Sequence, residues 1–188
     1  MPKVLLPLAE GFEEIEAVSM IDIMRRGGIE VLVRALDDKM EVRGAHGITL
    51  KAEGSIAGLN ADEIDMIVLP GGLGGANRLA EDTNVQALLK EMDEKGKNIG
   101  AICAAPLALN AAGVLKGRYT CYPSIEEEIR PEGYLGDRYQ VVEDANVMTS
   151  RGPGTAICFG LAIVKKLIGE KRYMTVREET LSAYCEKV

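Results

Sequence analysis

The chain has 188 residues, of which 47% are hydrophobic and 27% are charged, and it contains no Trp. This composition is typical of a globular protein, and no apolar run is long enough to span a bilayer, so a membrane protein is not expected. The formal net charge of −7 argues against a nucleic-acid backbone as partner, because such binding needs a positive field.

The N-terminal sequence MPKVLLPLAEGFEE begins with a short apolar run. Pro7 and then Glu10 interrupt this run before it reaches the length of a secretory signal. We therefore expect a cytoplasmic protein.

The cysteines are widely spaced and form no C-x-x-C pair, which excludes the usual zinc and thioredoxin motifs; they are Cys103, Cys121, Cys158 and Cys185. In a reducing compartment we expect all of them to be reduced thiols. Cys158 and Cys185 lie inside helical patterns and are expected to be core or surface residues without a chemical role. His46 is the single histidine, and no calcium-loop pattern is present. The sequence therefore predicts no metal ion.

Short runs rich in Val, Ile and Leu predict strands that are buried on both faces, at 3–8, 30–36, 66–70 and 98–102. Apolar residues at helical spacing predict a helix over 13–27 and another that ends at Gly96. Strands that alternate with helices indicate an α/β fold with a mostly parallel sheet and helices on both faces. Because no linker or repeat interrupts the sequence, we expect a single domain over 1–188.

The C-terminal half begins with a predicted short acidic helix, for which Ser124 and Glu127 form a capping-box pattern and Pro131 is the stop. A polar pair of strands follows, and the next helix, stopped by Gly169, is strongly apolar; the predicted ranges are 139–142, 146–150 and about 155–168.

The predicted helix 13–27 carries apolar residues on more than one face. Ile15, Val18 and Ile21 form a second row beside Met20, Ile23 and Met24. A helix that lies on one sheet needs a single apolar stripe. The excess is compatible with a deeply covered core helix or with a symmetric dimer contact, and the sequence does not choose.

Four segments follow predicted strands at the edge where sites form in parallel sheets. They read AEGFEEIE, LPGGLGG, AICAAP and SRGPGT, at 9–16, 69–75, 101–106 and 150–155. Cys103 lies between a strand and a helix, where backbone N–H groups and the helix dipole stabilise a thiolate. A buried structural thiol is equally compatible with this position.

The other segments carry weaker signals. LPGGLGG matches neither a dinucleotide fingerprint nor a phosphate loop, but it could bring backbone N–H groups to a reacting carbonyl, or be a tight turn. Glu13, Glu14 and Glu16 crowd the start of a helix, where carboxylates are favoured by the dipole. One of them could point inward and act as acid and base, but the spacing does not say which.

GFEEIEAV, VLPGG, GAICAAP and TSRGPGT, in this order and at these separations, are together similar to the ThiJ/PfpI superfamily. Within it they resemble most the branch that contains the Parkinson-disease protein deglycase. The resemblance covers the chain from Lys3 to about Ile168. It implies a flavodoxin-like three-layer sandwich, like that of class I glutamine amidotransferases, and a homodimer.

The resemblance also implies roles for particular residues. Cys103 matches the reactive cysteine, Glu16 matches the acid paired with it, and the amides of Gly72 and Ala104 match the oxyanion hole. Residues expected to bind substrate or line the site are Gly71, Tyr122, Arg151, Gly152 and Pro153.

Two positions depart from the pattern or leave it open. Close relatives often have His-Pro where this chain has Tyr122 and Pro123, and a tyrosine cannot be a general base near pH 7 without a large pKa shift. His46 lies near a family position whose basic side chain approaches the partner subunit's site, although a solvated loop histidine fits as well.

The function implied is that of a cofactor-free, cysteine-dependent enzyme acting on small aldehydes, dicarbonyls or glycated adducts, as a glutathione-independent glyoxalase or a protein or nucleotide deglycase. The alternative is an oxidative-stress sensor or redox-regulated chaperone that uses oxidation of Cys103. A PfpI-type peptidase is disfavoured because Ala104, not histidine, follows the cysteine. A role in thiazole monophosphate biosynthesis finds no phosphate-loop motif.

Overall fold

The computed structural model describes residues 1–185, so the last three residues of the predicted domain 1–188 lie outside the described part. The strands are β1 Lys3–Leu8, β2 Glu30–Ala35, β3 Glu41–Arg43, β4 Thr49–Lys51, β5 Met66–Leu69, β6 Asn98–Ile102, β7 Val141–Asp144 and β8 Val147–Ser150. The helices are α1 Glu14–Arg26, α2 Leu73–Glu81, α3 Thr83–Glu94, α4 Pro106–Ala112, α5 Glu126–Ile129, α6 Ala156–Leu167 and α7 Glu170–Glu179. Short 3-10 turns lie at Ala61–Glu63 and Pro153–Thr155.

The main sheet has the strand order β2-β1-β5-β6-β8-β7. All of its neighbouring strands are parallel except β7, which pairs antiparallel with β8 at one edge. Without this edge strand the order is that of flavodoxin-like sheets, in which the chain reverses direction between the first and third strands. The predicted α/β, flavodoxin-like fold is confirmed.

Helices cover both faces of the sheet and give three layers. In β1, Val4, Leu6 and Leu8 pack with residues of α1 and α6, whereas Leu5 packs with residues of α3 and α4 on the opposite face. This alternation follows from the two-residue period of a strand. A strand buried on both faces must be apolar throughout, which is why the pattern of β1 was readable from the sequence.

Two helices were not predicted. α2 begins within the glycine-rich run LPGGLGG, which contains none of the usual helix-start residues, and Gly72 serves as its N-cap with φ of 82°. α7 has no strongly apolar stripe, because its buried residues are Tyr173 and Val176 only. In both cases packing, rather than local propensity, decides the conformation.

The predicted capping box at Ser124 is wrong. Ser124 adopts φ of 77°, and the N-cap of α5 is Ile125, which makes no side-chain capping bond. An N-cap side chain requires an extended backbone to reach the next turn, and Ser124 does not have one. The helix is nevertheless short and acidic, and it ends at Ile129, before Pro131.

The prediction that all cysteines are reduced thiols is also wrong. Cys158 in α6 and Cys185 after α7 form a disulfide, with a Cα–Cα distance of 5.1 Å. α7 turns back along α6, so residues that are 27 positions apart meet in the core. Cys103 and Cys121 are free and buried.

The two apolar rows of α1 have different surroundings. Met20, Ile23 and Met24 are buried, and α1 packs on α6. Ile15 and Val18 are 57% and 46% exposed. Ile21, the third residue of their row, is partly buried against the core. The part of the row at Ile15 and Val18 is therefore left uncovered by this chain.

None of the helices in the part of the chain that the structure describes combines the length and the hydropathy that crossing a membrane requires.

Candidate active site

The four sequence segments meet at the carboxyl edge of the sheet. β1, β5, β6 and β8 are successive neighbours in the sheet, so the loops that follow them lie side by side. The Glu13 N–H donates to the Gly71 carbonyl at 2.9 Å, and the Cys103 N–H donates to the Ser150 carbonyl at 3.0 Å. The predicted clustering is observed, next to the point between β1 and β5 where the chain order reverses.

Cys103 lies in a strained turn directly after β6. Its φ is 63°, a left-handed conformation that costs a residue other than glycine about 1–3 kcal/mol. Two hydrogen bonds hold it there: its N–H donates to Ser150, and its carbonyl accepts from the Tyr122 N–H at 2.9 Å. The residue is buried but keeps 8% of its surface exposed, so a small part of it can be reached from solvent.

The three glutamates of α1 take different positions, which the sequence could not assign. Glu13 is the N-cap, and its Oε2 accepts from the Glu16 N–H at 2.7 Å. Glu16 is fully buried, and its Oε2 accepts from the Gly71 N–H at 2.7 Å. Its other oxygen, Oε1, is buried and has no hydrogen-bond partner in the described part of the chain. Glu16 is thus the glutamate that points inward.

Two glycines allow Cys103 and Glu16 to approach each other. A Cβ on Gly71 would lie 2.7 Å from Glu16 Oε2 and 3.0 Å from Cys103 Sγ. A Cβ on Gly72 would lie 2.3 Å from the Gly11 carbonyl oxygen, and its φ of 82° also favours glycine. The PGG run is therefore required by the close packing of the two side chains and their loops.

Burial is the largest influence on the pKa values of both Glu16 and Cys103. It raises the pKa of the Glu16 carboxyl to about 7, although an interaction with the Cys103 thiol and the Gly71 N–H oppose it. Burial, and then the charge of Glu16, raise the pKa of the Cys103 thiol to about 12, while the amides of Gly72 and Ala104 act to lower it. Between these values the pair holds one proton, which can reside on sulfur or on oxygen.

Glu14 binds the turn between β3 and β4, a contact that the sequence analysis missed. Its buried carboxylate accepts from the His46 N–H at 2.7 Å and lies 3.0 Å from His46 Nδ1. Burial acts to raise the pKa of Glu14, but hydrogen bonds from His46 and Ile48 outweigh it, and this pKa is lowered. The same contact raises the pKa of His46.

Among residues 1–185, Glu13, Glu14 and His46 could each offer one ligand atom to a metal ion, with these atoms within 4.8 Å of one another. Each side chain, however, already has a hydrogen-bond partner within the protein. We assign no metal ion to this group.

The remaining predicted site residues differ in how exposed they are. Tyr122 is 49% exposed, and a Cβ on Gly152 would lie 3.2 Å from its ring. Arg151 and Pro153 are half-buried. Arg151 lowers the pKa of Tyr134 and of Cys121, although burial, the largest influence on both, leaves both values raised. Its guanidinium therefore lies towards these two residues.

Sequence reasoning also missed Ser150. Its carbonyl fixes the Cys103 N–H, and its hydroxyl donates to the Gln140 carbonyl at 2.6 Å. Ser150 opens SRGPGT, one of the four segments expected at the site, but the residues named there were Arg151, Gly152 and Pro153. A backbone contact of this kind leaves no trace in side-chain patterns.

Comparison with known proteins gives concordant results. The sequence profile of the DJ-1/PfpI family matches residues 2–166. Glutathione-independent glyoxalase DJR-1.2 of Caenorhabditis elegans is 36% identical over 169 residues, covering 90% of this chain and 89% of that protein. Protein DJ-1 homolog B of Arabidopsis thaliana is 38% identical over 182 residues, but the match spans 96% of this chain and only 41% of that protein. The crystal structure of Drosophila melanogaster DJ-1beta matches with a TM-score of 0.91 at 38% identity, covering 96% of this chain and 97% of that one.

Proposed function

Because the chain belongs to the DJ-1/PfpI family, as its motifs predicted, we propose that it is a cysteine-dependent enzyme acting on reactive carbonyls. The observation that carries this proposal is the pairing of the Cys103 thiol with the buried Glu16 carboxyl, beside the amides of Gly72 and Ala104. The relative in Caenorhabditis elegans whose name is glutathione-independent glyoxalase supports small carbonyls as the substrate class.

The first step is attack of Cys103 sulfur on the aldehyde carbon of a dicarbonyl such as methylglyoxal. The Glu16 carboxylate accepts the thiol proton as the carbon–sulfur bond forms, because the pair shares one proton above a pH of about 7. The oxygen that becomes negative in this step is stabilised by the amides of Gly72 and Ala104, which already act on the sulfur.

The following steps need only proton transfers and water. Glu16 moves a proton from the former aldehyde carbon through an enediol, which converts the hemithioacetal into a thioester. Water then hydrolyses the thioester, which releases a hydroxy acid and restores the Cys103 thiol. No cofactor takes part. Because Cys103 is 8% exposed, small aldehydes suit the site better than bulky adducts do. A glycated protein or nucleotide would present the same electrophile, with its narrow glycated group entering the site.

Methylglyoxal turnover with D- and L-lactate resolved tests this proposal. We expect Cys103→Ser and Glu16→Gln to lose at least about 100-fold in kcat/KM, the range for a nucleophile or an acid–base group. Cys121→Ser removes the other free thiol and is expected to retain activity. Lactate formation that persists in Cys103→Ser, or a full rate in Glu16→Gln, would contradict the mechanism.

A second function, oxidative-stress sensing, uses the same cysteine. The neighbouring Glu16, with its pKa near 7, can hydrogen-bond an oxidised sulfur and arrest it at the sulfinic stage. Mild peroxide should then add two oxygen atoms to Cys103 and leave Cys121 unmodified, as measured by peptide mass spectrometry. Equal oxidation of both thiols would argue against a dedicated sensor.

We also propose that the protein is a homodimer through the uncovered row of α1. Ile15 and Val18 are exposed, and Ile48, in the turn that Glu14 holds against α1, is 56% exposed. An apolar strip of this kind is stabilised when a second copy covers it around a twofold axis.

A further inference from the structure

Residues 180–185, here called the C-terminal strap, follow α7 and end at the disulfide to Cys158. Besides the disulfide and the backbone hydrogen bonds between the strap and the end of α7, three side chains outside the strap donate to its carbonyl groups. Arg177 donates to the Ala183 carbonyl at 2.7 Å, the Tyr173 hydroxyl donates to the Cys185 carbonyl at 3.2 Å, and the Gln140 amide donates to the Tyr184 carbonyl at 3.1 Å.

The last of these bonds starts a continuous path to the active site. Gln140 Nε2 donates to the strap at Tyr184, and the Gln140 carbonyl accepts from the Ser150 hydroxyl at 2.6 Å. The Ser150 carbonyl in turn accepts from the Cys103 N–H at 3.0 Å. The disulfide also ties the strap to the first turn of α6, directly after the SRGPGT loop.

Cys103 depends on this support because its backbone is strained. A residue with φ of 63° keeps that conformation only while its surroundings enforce it. One of its two backbone hydrogen bonds goes to Ser150, the residue at the end of the path. Release of the strap would remove the bond that Gln140 makes to it, which is the first bond of this path.

We propose that the Cys158–Cys185 disulfide is a redox switch, here called the clip, which a dithiol reductant opens. Cys103 lies on the other side of the SRGPGT loop, and it is less accessible when the clip is closed than when it is open. The clip is independent of the carbonyl chemistry proposed above. Both sulfurs are buried, but the strap forms no helix or strand and its residue Leu181 is 87% exposed. Local opening of such a segment needs far less free energy than global unfolding.

The exchange is balanced in atoms and electrons. A thiolate of the dithiol attacks one sulfur of the clip, which forms a mixed disulfide and releases the other as a thiolate. The second thiol of the reductant then displaces the remaining cysteine. The reductant becomes a disulfide, and Cys158 and Cys185 take up two protons and two electrons as free thiols.

Alkylation by iodoacetamide tests the clip without reference to any enzymatic activity. Oxidised protein with a free Cys103, and the same protein after anaerobic treatment with dithiothreitol and its removal, are labelled without denaturant and analysed by peptide mass spectrometry. We expect Cys158 and Cys185 to be labelled only after reduction. We expect Cys103 to react about threefold faster or more in the reduced protein, within the range for coupling through a contiguous network.

Variants separate the clip from general loosening. Cys185→Ala in untreated protein should match the fast labelling of reduced wild type, and so should Gln140→Leu, which keeps the disulfide but removes the bond to Tyr184. Leu181→Ala, in the same strap but exposed, should behave as the oxidised wild type.

Two results would overturn the proposal. One is that Cys158 and Cys185 become reducible only in denaturant, which makes the disulfide purely structural. The other is that they are reduced while the labelling rate of Cys103 stays unchanged, which breaks the path to the site.

Discussion

The fold holds Cys103 and Glu16 in conformations and surroundings that are energetically unfavourable for each residue by itself. The cysteine has a left-handed backbone, and the glutamate is fully buried with one oxygen lacking a hydrogen bond. The fold offsets these costs with three hydrogen bonds: the Ser150 carbonyl accepts from the Cys103 N–H, the Tyr122 N–H donates to the Cys103 carbonyl, and the Gly71 N–H donates to Glu16. Strain and burial of this kind are typical of sites in which reactivity is set by the environment.

The pH dependence of turnover should report the shared proton. Below a pH of about 7 Glu16 is protonated and cannot accept the thiol proton, so kcat/KM for methylglyoxal is expected to rise as pH increases through that value and then level off. Tyr122→Phe should keep this inflection, because the proposed proton acceptor is Glu16. Loss of the inflection in Tyr122→Phe would show that the proton acceptor is misassigned.

Glu16 should also make stability depend on pH. Its carboxyl pKa is about 7 in the folded protein against 4.5 ordinarily, so the unfolded chain loses its proton first as pH rises. The free energy of unfolding is expected to fall by about 3 kcal/mol between pH values of about 4.5 and 7 and then to stay level.

Urea denaturation across this pH range measures the effect. Glu16→Gln should lack this component of the fall and exceed wild type in stability at alkaline pH, whereas Glu132→Gln, at an exposed loop position, should retain the full slope. An unchanged slope in Glu16→Gln would mean that another group titrates.

Contact between α1 and α6 shows how elements depend on single small residues. Gly27 caps α1, and a Cβ there would lie 2.4 Å from Val164 Cγ2 in α6. Val164 is fully buried and has a short branched side chain, so it cannot move aside. The close approach of these helices is a property of the packed pair and not of either sequence segment.

Gly27→Ala is therefore expected to lower the free energy of unfolding by about 1–3 kcal/mol, the usual cost of overpacking. Gly154→Ala is the matched control, because a Cβ there meets no atom within 4 Å. Urea or thermal denaturation monitored by circular dichroism measures both variants. Equal stability of the two would contradict the packing argument.

At the scale of the whole molecule, the exposed face of α1 at Ile15 and Val18 is the proposed dimer contact. Val18→Asp places a charge at the centre of that face and should convert the proposed dimer into a monomer, as measured by sedimentation velocity. Leu181→Asp, at another exposed apolar residue, should leave the dimer intact. A wild-type monomer, or a Val18→Asp dimer of unchanged stability, would contradict the proposal.

Much of the architecture was readable from the sequence because it depends on local patterns. β5 is apolar throughout, and β1 and β6 are apolar after their first residues, Lys3 and Asn98. α1 lies between a glutamate N-cap and Gly27, close to the predicted bounds. The alternation of strands and helices then indicated the α/β fold and placed Cys103 after β6, at the carboxyl edge of the sheet.

Tertiary structure alone decided which side chains meet. The sequence offered three glutamates at one helix start, and only the packing of α1 against the Gly71 loop makes Glu16 the buried one. The tertiary structure likewise brings Cys158 to Cys185 and Glu14 to His46, pairs whose members lie far apart along the chain. The physical reason is that periodicity reports what a segment does by itself, whereas long-range contacts depend on how separate segments pack together.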